Sequence, residues 1–107
     1  MKYIHILKPE SGNQFTLAYT KPNENKEVNV GVAICSKKDQ FSRPMGRRVA
    51  ESRISNLRCN QATYTTNGYT LYVFFPNFFG SKKNNYWKNT KASLEEAITK
   101  LIRRICA

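Results

Sequence analysis

The run from Val28 to Cys35 constrains the fold of this chain more than any other segment. Its residues alternate between two sets, with Val28, Val30, Val32 and Ile34 on one side and Asn29, Gly31, Ala33 and Cys35 on the other. A period of two places successive side chains on opposite faces of a β-strand. β-Branched side chains also pack well on a pleated surface. The run therefore predicts a strand with one β-branched face and one face of mostly small residues.

Four other segments are typical of strands. Residues 2–8 and 14–20 alternate with a period of two, and the turn-forming residues 9–13 between them indicate a hairpin. Residues 62–66 and 69–75 flank Asn67-Gly68. This dipeptide favours a type I′ turn, because both central residues of that turn need positive φ. The sequence therefore predicts five strands.

Two segments have helical periodicity. The first is predicted to begin near residues 42–44, where Pro44 suits the first helical position, and its apolar spacing continues to Leu57. The second is predicted to begin at the capping-box sequence Ser93-Leu94-Glu95-Glu96, which places acids in its first turn, and its apolar stripe extends to Ile105.

The predicted order of elements is βββαββα. Hairpins with few crossovers favour an antiparallel sheet, and amphipathic helices cover sheet faces. We therefore expect a two-layer α+β fold in which two helices cover one face of a mainly antiparallel sheet of about five strands. A length of 107 residues suits one hydrophobic core, so residues 1–107 are expected to form a single compact domain.

Positive charge is concentrated in two parts of the chain. The formal net charge is +11, and residues 36–58 and 81–107 each contain seven Lys or Arg against two acids. Clustered cations favour binding to polyphosphates, because the neutralised phosphates release condensed counterions. The charge therefore indicates a nucleic-acid partner, DNA or RNA, and gives no indication of the oligomeric state.

The first predicted helix carries a basic face. On a helical wheel Arg47, Arg58 and Glu51 fall within about 40° of one another. The outward arginines either contact phosphate or belong to a solvated face in which Arg47 and Glu51 pair at i, i+4. The outward candidates are Arg43, Arg47, Arg48 and Arg58.

Arg53 falls among apolar residues on the same wheel. Burial of an unpaired guanidinium is costly. The side chain either extends past the helix edge to water, or a carboxylate or a ligand holds it, so Arg53 is also a candidate nucleic-acid-binding residue. Gly46 lies beside it and is interpreted as a close contact between helix and sheet.

Residues 74–88 mix aromatic rings with lysines. Single-stranded nucleic acid favours such a mixture, because bases stack on the rings while lysines follow the backbone. The alternative is that the rings close the sheet edge and anchor the last helix. The candidate binding residues here are Lys82, Lys83, Tyr86 and Lys88. Depending on strand register, an open sheet face could also display Tyr3, Tyr19, Tyr64, Tyr69 and Tyr72.

Signals for catalysis, metals and export are weak. His5 is the only histidine and stands among apolar residues, which indicates a structural role, although a ribonuclease that uses it is an open alternative. Cys35, Cys59 and Cys106 predict neither a disulfide framework nor a zinc site. No leader or membrane span is recognised. We expect a cytoplasmic, non-enzymatic protein without metal, cofactor or membrane contact.

One segment has a moderately distinctive pattern within residues 31–53. Its members are Asp39, Phe41, Arg43, Gly46, Arg47 and Arg53. The segment resembles small uncharacterised basic bacteriophage proteins. The resemblance implies no activity and no catalytic residue. It implies the cytoplasm of an infected host cell, where small phage proteins often bind nucleic acid or block a host enzyme.

Three functions follow as hypotheses. The first is a small basic nucleic-acid-binding protein. It contacts the phosphate backbone through the basic face of the first predicted helix and through the lysine-aromatic loop within residues 74–88. The second is a phage-type inhibitor that binds a host protein of the defence or nucleic-acid-processing machinery. The third is a small nuclease.

Overall fold

The computed structural model describes residues 1–6, 14–35, 42–76 and 90–106. Within these ranges the chain forms five strands and two helices. The elements are β1 (Lys2–Ile6), β2 (Gln14–Tyr19), β3 (Glu27–Cys35), α1 (Arg43–Arg53), β4 (Asn60–Thr66), β5 (Tyr69–Phe75) and α2 (Thr90–Cys106). The predicted α+β class and the order βββαββα are confirmed.

The described strands form one sheet in the order β1-β2-β3-β5-β4. The neighbours β1–β2, β2–β3 and β4–β5 pair antiparallel, whereas β3 and β5 pair in parallel. Asn67 and Gly68, between β4 and β5, have φ values of 49° and 83°. Positive φ at both positions agrees with the predicted type I′ turn. The sheet is therefore mixed but mainly antiparallel, and β1 and β4 are its edge strands.

The main hydrophobic core lies between one face of the sheet and α2. Large apolar side chains of β2, β3 and β5 meet the apolar stripe of α2 there. The largest fully buried members are Phe15, Leu17, Val28, Val30, Val32, Leu71, Val73, Leu94, Ile98 and Leu101. Burial of this much apolar surface is the main stabilising contribution to a small domain.

The opposite face of the sheet is lined by small residues and is covered in part by α1. Ala18 and Ala33 pack against Ala50 of α1. A Cβ atom at Gly31 would overlap the carbonyl oxygen of Ala50, and one at Gly46 would overlap Oγ1 of Thr16. The helix backbone therefore approaches the sheet closely, and the interpretation of Gly46 as a helix–sheet contact is confirmed.

The two helices lie on opposite faces of the sheet, which corrects the expectation that both would cover one face in two layers. The alternation within β3 is the reason. Val30 and Val32 point to α2, whereas Gly31 and Ala33 point to α1. The small-residue face is the docking surface for a second helix, because small side chains let a helix backbone approach.

The first helix is shorter than its apolar spacing predicts. It begins at Arg43, as expected, with Ser42 as the N-cap, but it ends at Arg53. Ser55 then has a φ of 60°. The apolar positions that the spacing predicts are wrong at Met45 and Leu57, whose side chains are 55% and 100% exposed.

The second helix begins earlier than predicted. It starts at Thr90, so Ser93 lies inside the helix and not at its N-cap. Lys91 and Ala92 favour helix, which agrees with helical residues before Ser93. The predicted capping box and first-turn acids are therefore wrong. Within the described ranges, no helix is both long and apolar enough to cross a membrane.

Candidate nucleic-acid interface

The amino-terminal half of α1 lies over β2 beside the edge strand β1. Gly46 sits against Thr16. The antiparallel register pairs His5 with Thr16 and Tyr3 with Ala18, so both β1 side chains lie on the face that α1 covers. The alternation of side chains in β1 thus places the phenol ring of Tyr3 and the imidazole of His5 next to the arginines of α1.

Arg47 is held in a defined orientation at this junction. Its guanidinium carbon lies 5.7 Å from the centre of the Tyr3 ring. Its Nε donates a hydrogen bond of 3.4 Å to the carbonyl of Arg43. A cation over a tyrosine ring contributes about 0.5–1 kcal/mol at an exposed site. Arg47 therefore packs on Tyr3 rather than pairing with Glu51 as the solvated-face interpretation proposed.

The positive charge of this region affects the pKa of His5. Its Nδ1 lies 2.9 Å from Oγ1 of Thr16. Partial burial lowers the pKa of His5 below 6.5, and the charges of Arg43 and Arg47 lower it further. Both effects favour the neutral form of the imidazole. The structural role predicted for His5 agrees with this contact to β2.

These residues define a basic patch on the surface of α1 and β1. We use that name for Arg43, Arg47 and Arg48 with their neighbours Tyr3 and His5. All three arginines are exposed, and no acidic residue occupies the first turn of α1. Three outward arginines of the predicted set are therefore brought into one part of the surface.

Arg53 has a different environment from the other arginines. Its Nη1 donates a hydrogen bond of 2.7 Å to the carbonyl of Val32. Burial lowers the pKa of its half-buried guanidinium. The last residue pair between β3 and β5 is Gly31 with Phe74, so the Val32 carbonyl lies one residue past the paired part of β3. Arg53 thus fastens α1 to β3 through a backbone acceptor, an arrangement that neither sequence interpretation anticipated.

The remaining predicted site residues are not part of the basic patch. Arg58 is exposed, but it follows the end of α1 in a turn where its backbone N–H donates to Oδ1 of Asn56. The wheel that grouped it with Arg47 is wrong because the helix ends at Arg53. Other candidates lie outside the described residues: Lys82, Lys83, Tyr86 and Lys88.

A second polar cluster was not anticipated from the sequence. The carboxylate of Glu27 accepts hydrogen bonds from Asn23 at 3.0 Å and from the Tyr72 hydroxyl at 2.8 Å. These bonds lower the pKa of Glu27 below 4.5. Tyr72, like Tyr3, lies on the α1 side of the sheet, whereas Tyr19, Tyr64 and Tyr69 pack toward α2. Strand register, which sequence alone leaves open, was the missing information.

The basic patch presents three exposed guanidinium groups, of Arg43, Arg47 and Arg48. Among the described residues, no group of three His, Cys, Asp or Glu side chains is arranged to hold a metal ion. Cys59 and Cys106 are half-buried free thiols. No family model, no curated protein and no solved structure matches this chain. Functional inference therefore depends on the geometry and charge of the patch.

Proposed function

We propose that this chain is a small non-enzymatic nucleic-acid-binding protein whose basic patch contacts the phosphate backbone. The proposal is supported chiefly by one observation, the exposure of Arg43, Arg47 and Arg48 at the start of a helix without acids in its first turn. The net charge of +11 adds long-range attraction for a polyanion. The lysine-aromatic loop remains part of the predicted contact surface.

Arginine suits this task for two physical reasons. A guanidinium forms bidentate hydrogen bonds with phosphate oxygens and stays charged at every physiological pH. Arg47 is also held by Tyr3 and the Arg43 carbonyl, so less side-chain entropy is lost when it binds. Contacts of this kind position a protein on nucleic acid without reading its sequence.

The test measures affinity for random single- and double-stranded DNA and RNA oligonucleotides across a salt series. The informative variant carries Arg43→Gln, Arg47→Gln and Arg48→Gln together. Each lost phosphate contact lowers the steepness of the salt dependence by about 0.9 on a log–log plot, so we expect a decrease of about 2 to 3 and weaker binding at every salt concentration.

The matched control removes the same charge from the other side of the sheet. It carries Lys100→Gln, Arg103→Gln and Arg104→Gln, three exposed positions on one surface of α2. A local interface predicts a small effect of this control. Equal losses in the two triple variants, or no binding of the natural chain at low salt, would contradict the proposed patch.

His5 supplies an independent readout of where nucleic acid binds. It is the only histidine of the chain, so its ring protons form a single set of NMR signals. Phosphates at Arg43 and Arg47 cancel part of the positive potential that lowers its pKa. We expect the pKa of His5 to rise when a saturating oligonucleotide is added. An unchanged pKa would place the bound strand elsewhere on the protein.

A second candidate function is the inhibition of a host protein. The observation that favours it is the exposure of two large apolar side chains, Met45 in the first turn of α1 and Leu57 four residues beyond its end. Exposed apolar groups beside charges are common in protein interfaces. A tagged chain would then capture a protein from nuclease-treated bacterial lysate, and Leu57→Ser would reduce that capture. A phage origin and a cytoplasmic location belong to both proposals.

A further inference from the structure

The edge strand β4 is long and uncharged. Its seven residues, Asn60–Thr66, lie at one side of the described sheet. No charged residue occurs from Cys59 to Ser81, although 23% of the chain is charged. The opposite edge strand, β1, has five residues and begins with Lys2. Natural proteins protect edge strands with charges, prolines or short length. β4 has none of these protections.

The hairpin turn determines which groups of β4 face outward. A two-residue turn bonds the carbonyl of Thr66 to the N–H of Tyr69, which makes these partners a hydrogen-bonded pair. Hydrogen-bonded pairs alternate with non-bonded pairs along an antiparallel ladder. The N–H and C=O groups of the non-bonded positions therefore point away from β5. These positions are Gln61, Thr63 and Thr65, and their side chains are exposed.

We propose that two copies of this chain pair antiparallel along β4. The outward positions are symmetric about Thr63, so Thr63 faces its own counterpart and Gln61 faces Thr65 of the other copy. A two-fold symmetric pair of this register would form about six backbone hydrogen bonds. The same surface serves both subunits, as closed dimers require.

Charge opposes the approach of a second copy less at β4 than at the other edge strand, β1, which begins with Lys2. Two chains of net charge +11 repel each other, and the repulsion is smallest where the contact strand and the following segment carry no charge. Salt screens the remaining repulsion. Self-association through β4 therefore strengthens as salt is added, whereas binding of the basic patch to nucleic acid weakens.

The symmetry of this pairing has a geometric result. Antiparallel edge strands in one plane are related by a two-fold axis perpendicular to the sheet. The sheet continues from one copy into the next, and the two α1 helices lie on the same side of it. The proposed dimer thus presents two basic patches in one direction.

The test is analytical ultracentrifugation of the full chain, freed of nucleic acid, over a range of protein concentrations at low and high salt. We expect a monomer–dimer equilibrium that shifts toward dimer at high salt. Thr63→Lys places two like charges opposite each other at the two-fold axis and should weaken the dimer by about tenfold or more. Thr99→Lys adds the same charge on exposed α2 and should leave the dimer unchanged.

Amide hydrogen exchange supplies the positional readout. The outward amides of Gln61, Thr63 and Thr65 should exchange more slowly as the concentration rises, and circular dichroism should show that both lysine variants fold. A monomer under all conditions, a dimer unaffected by Thr63→Lys, or a strand from another protein bound at β4 without self-association would overturn the proposal. The dimer does not depend on the proposed function, because oligonucleotide binding is scored on the arginine variants of α1.

Discussion

The helices α1 and α2 are attached to the two faces of one sheet by different means. α2 buries a stripe of large side chains, among them Leu94, Ile98 and Leu101. α1 buries only Ala50 and depends on the close approach of its backbone at Gly31 and Gly46. The comparison shows two ways to pack a helix on a sheet. One buries large apolar side chains, and the other brings the helix backbone close to small residues of the strands.

This difference determines what each helix can display. A helix that buries one small residue leaves most of its positions exposed, and α1 uses them for Arg43, Arg47 and Arg48. Arg53 adds a hydrogen bond to Val32 that does not depend on apolar area. The helix with the weaker apolar attachment is therefore the one that can carry a binding surface.

The largest expected effect on stability comes from a substitution in α2. Leu101→Ala removes a fully buried side chain from the main core and should lower the free energy of unfolding by about 2–5 kcal/mol. Urea denaturation measures the loss. Thr99→Ala, at an exposed position of the same helix, should change stability by less than about 0.5 kcal/mol. Equal losses in the two variants would remove the distinction between core and surface of α2.

An intermediate loss of stability is expected from a substitution in β3 beneath α1. Gly31→Ala places a methyl group against the carbonyl oxygen of Ala50, so the backbone of α1 must move away from β3. Overpacking of this kind costs about 1–3 kcal/mol. Amide exchange should accelerate in α1 more than in α2, and oligonucleotide affinity should fall as the patch is displaced. Unchanged exchange in α1 would show that the close approach does not hold the helix.

The smallest expected effect concerns His5 and depends on pH. Its pKa is lowered below 6.5 in the folded chain, so the unfolded chain binds the proton first as pH falls. Stability should therefore decrease on acidification below pH 6.5 and recover as pH rises. Denaturation across this range should show a flatter profile for His5→Gln. A natural chain that gains stability on acidification more than His5→Gln does would reverse the inferred sign.

Local patterns predicted the elements of the fold well, because their causes are local. The positive φ values of Asn67 and Gly68 and the alternation in β3 follow from residue type and period. The end of α1 was missed because apolar spacing continues to Leu57, while Asn56 bonds to its own backbone neighbours and favours a turn. Spacing does not record that competition.

The placement of the helices and of the site depends on pairing between distant segments. Small residues such as Gly31 and Ala33 give no sequence signal that a helix covers them. The arginines of the basic patch were predicted from charge, but Tyr3 and His5 join them only through the register of β1 with β2. The hydrophobic pattern and the turn type together set a register. Residues 9–13, between the first two strands, do not specify one turn type as Asn67-Gly68 does.

The alternation of β3 also limits how this protein can change during evolution. Val30 and Val32 contact the α2 core, whereas Gly31 and Ala33 contact α1, so substitutions in the two sets are selected by different neighbours. The strand can therefore accept a change in one set while the other stays constant. A single inserted or deleted residue would exchange the two faces, put valines where the backbone of α1 must fit and glycine where α2 needs bulk. A change in the length of β3 therefore disturbs both faces of the sheet at once, whereas a single substitution disturbs one.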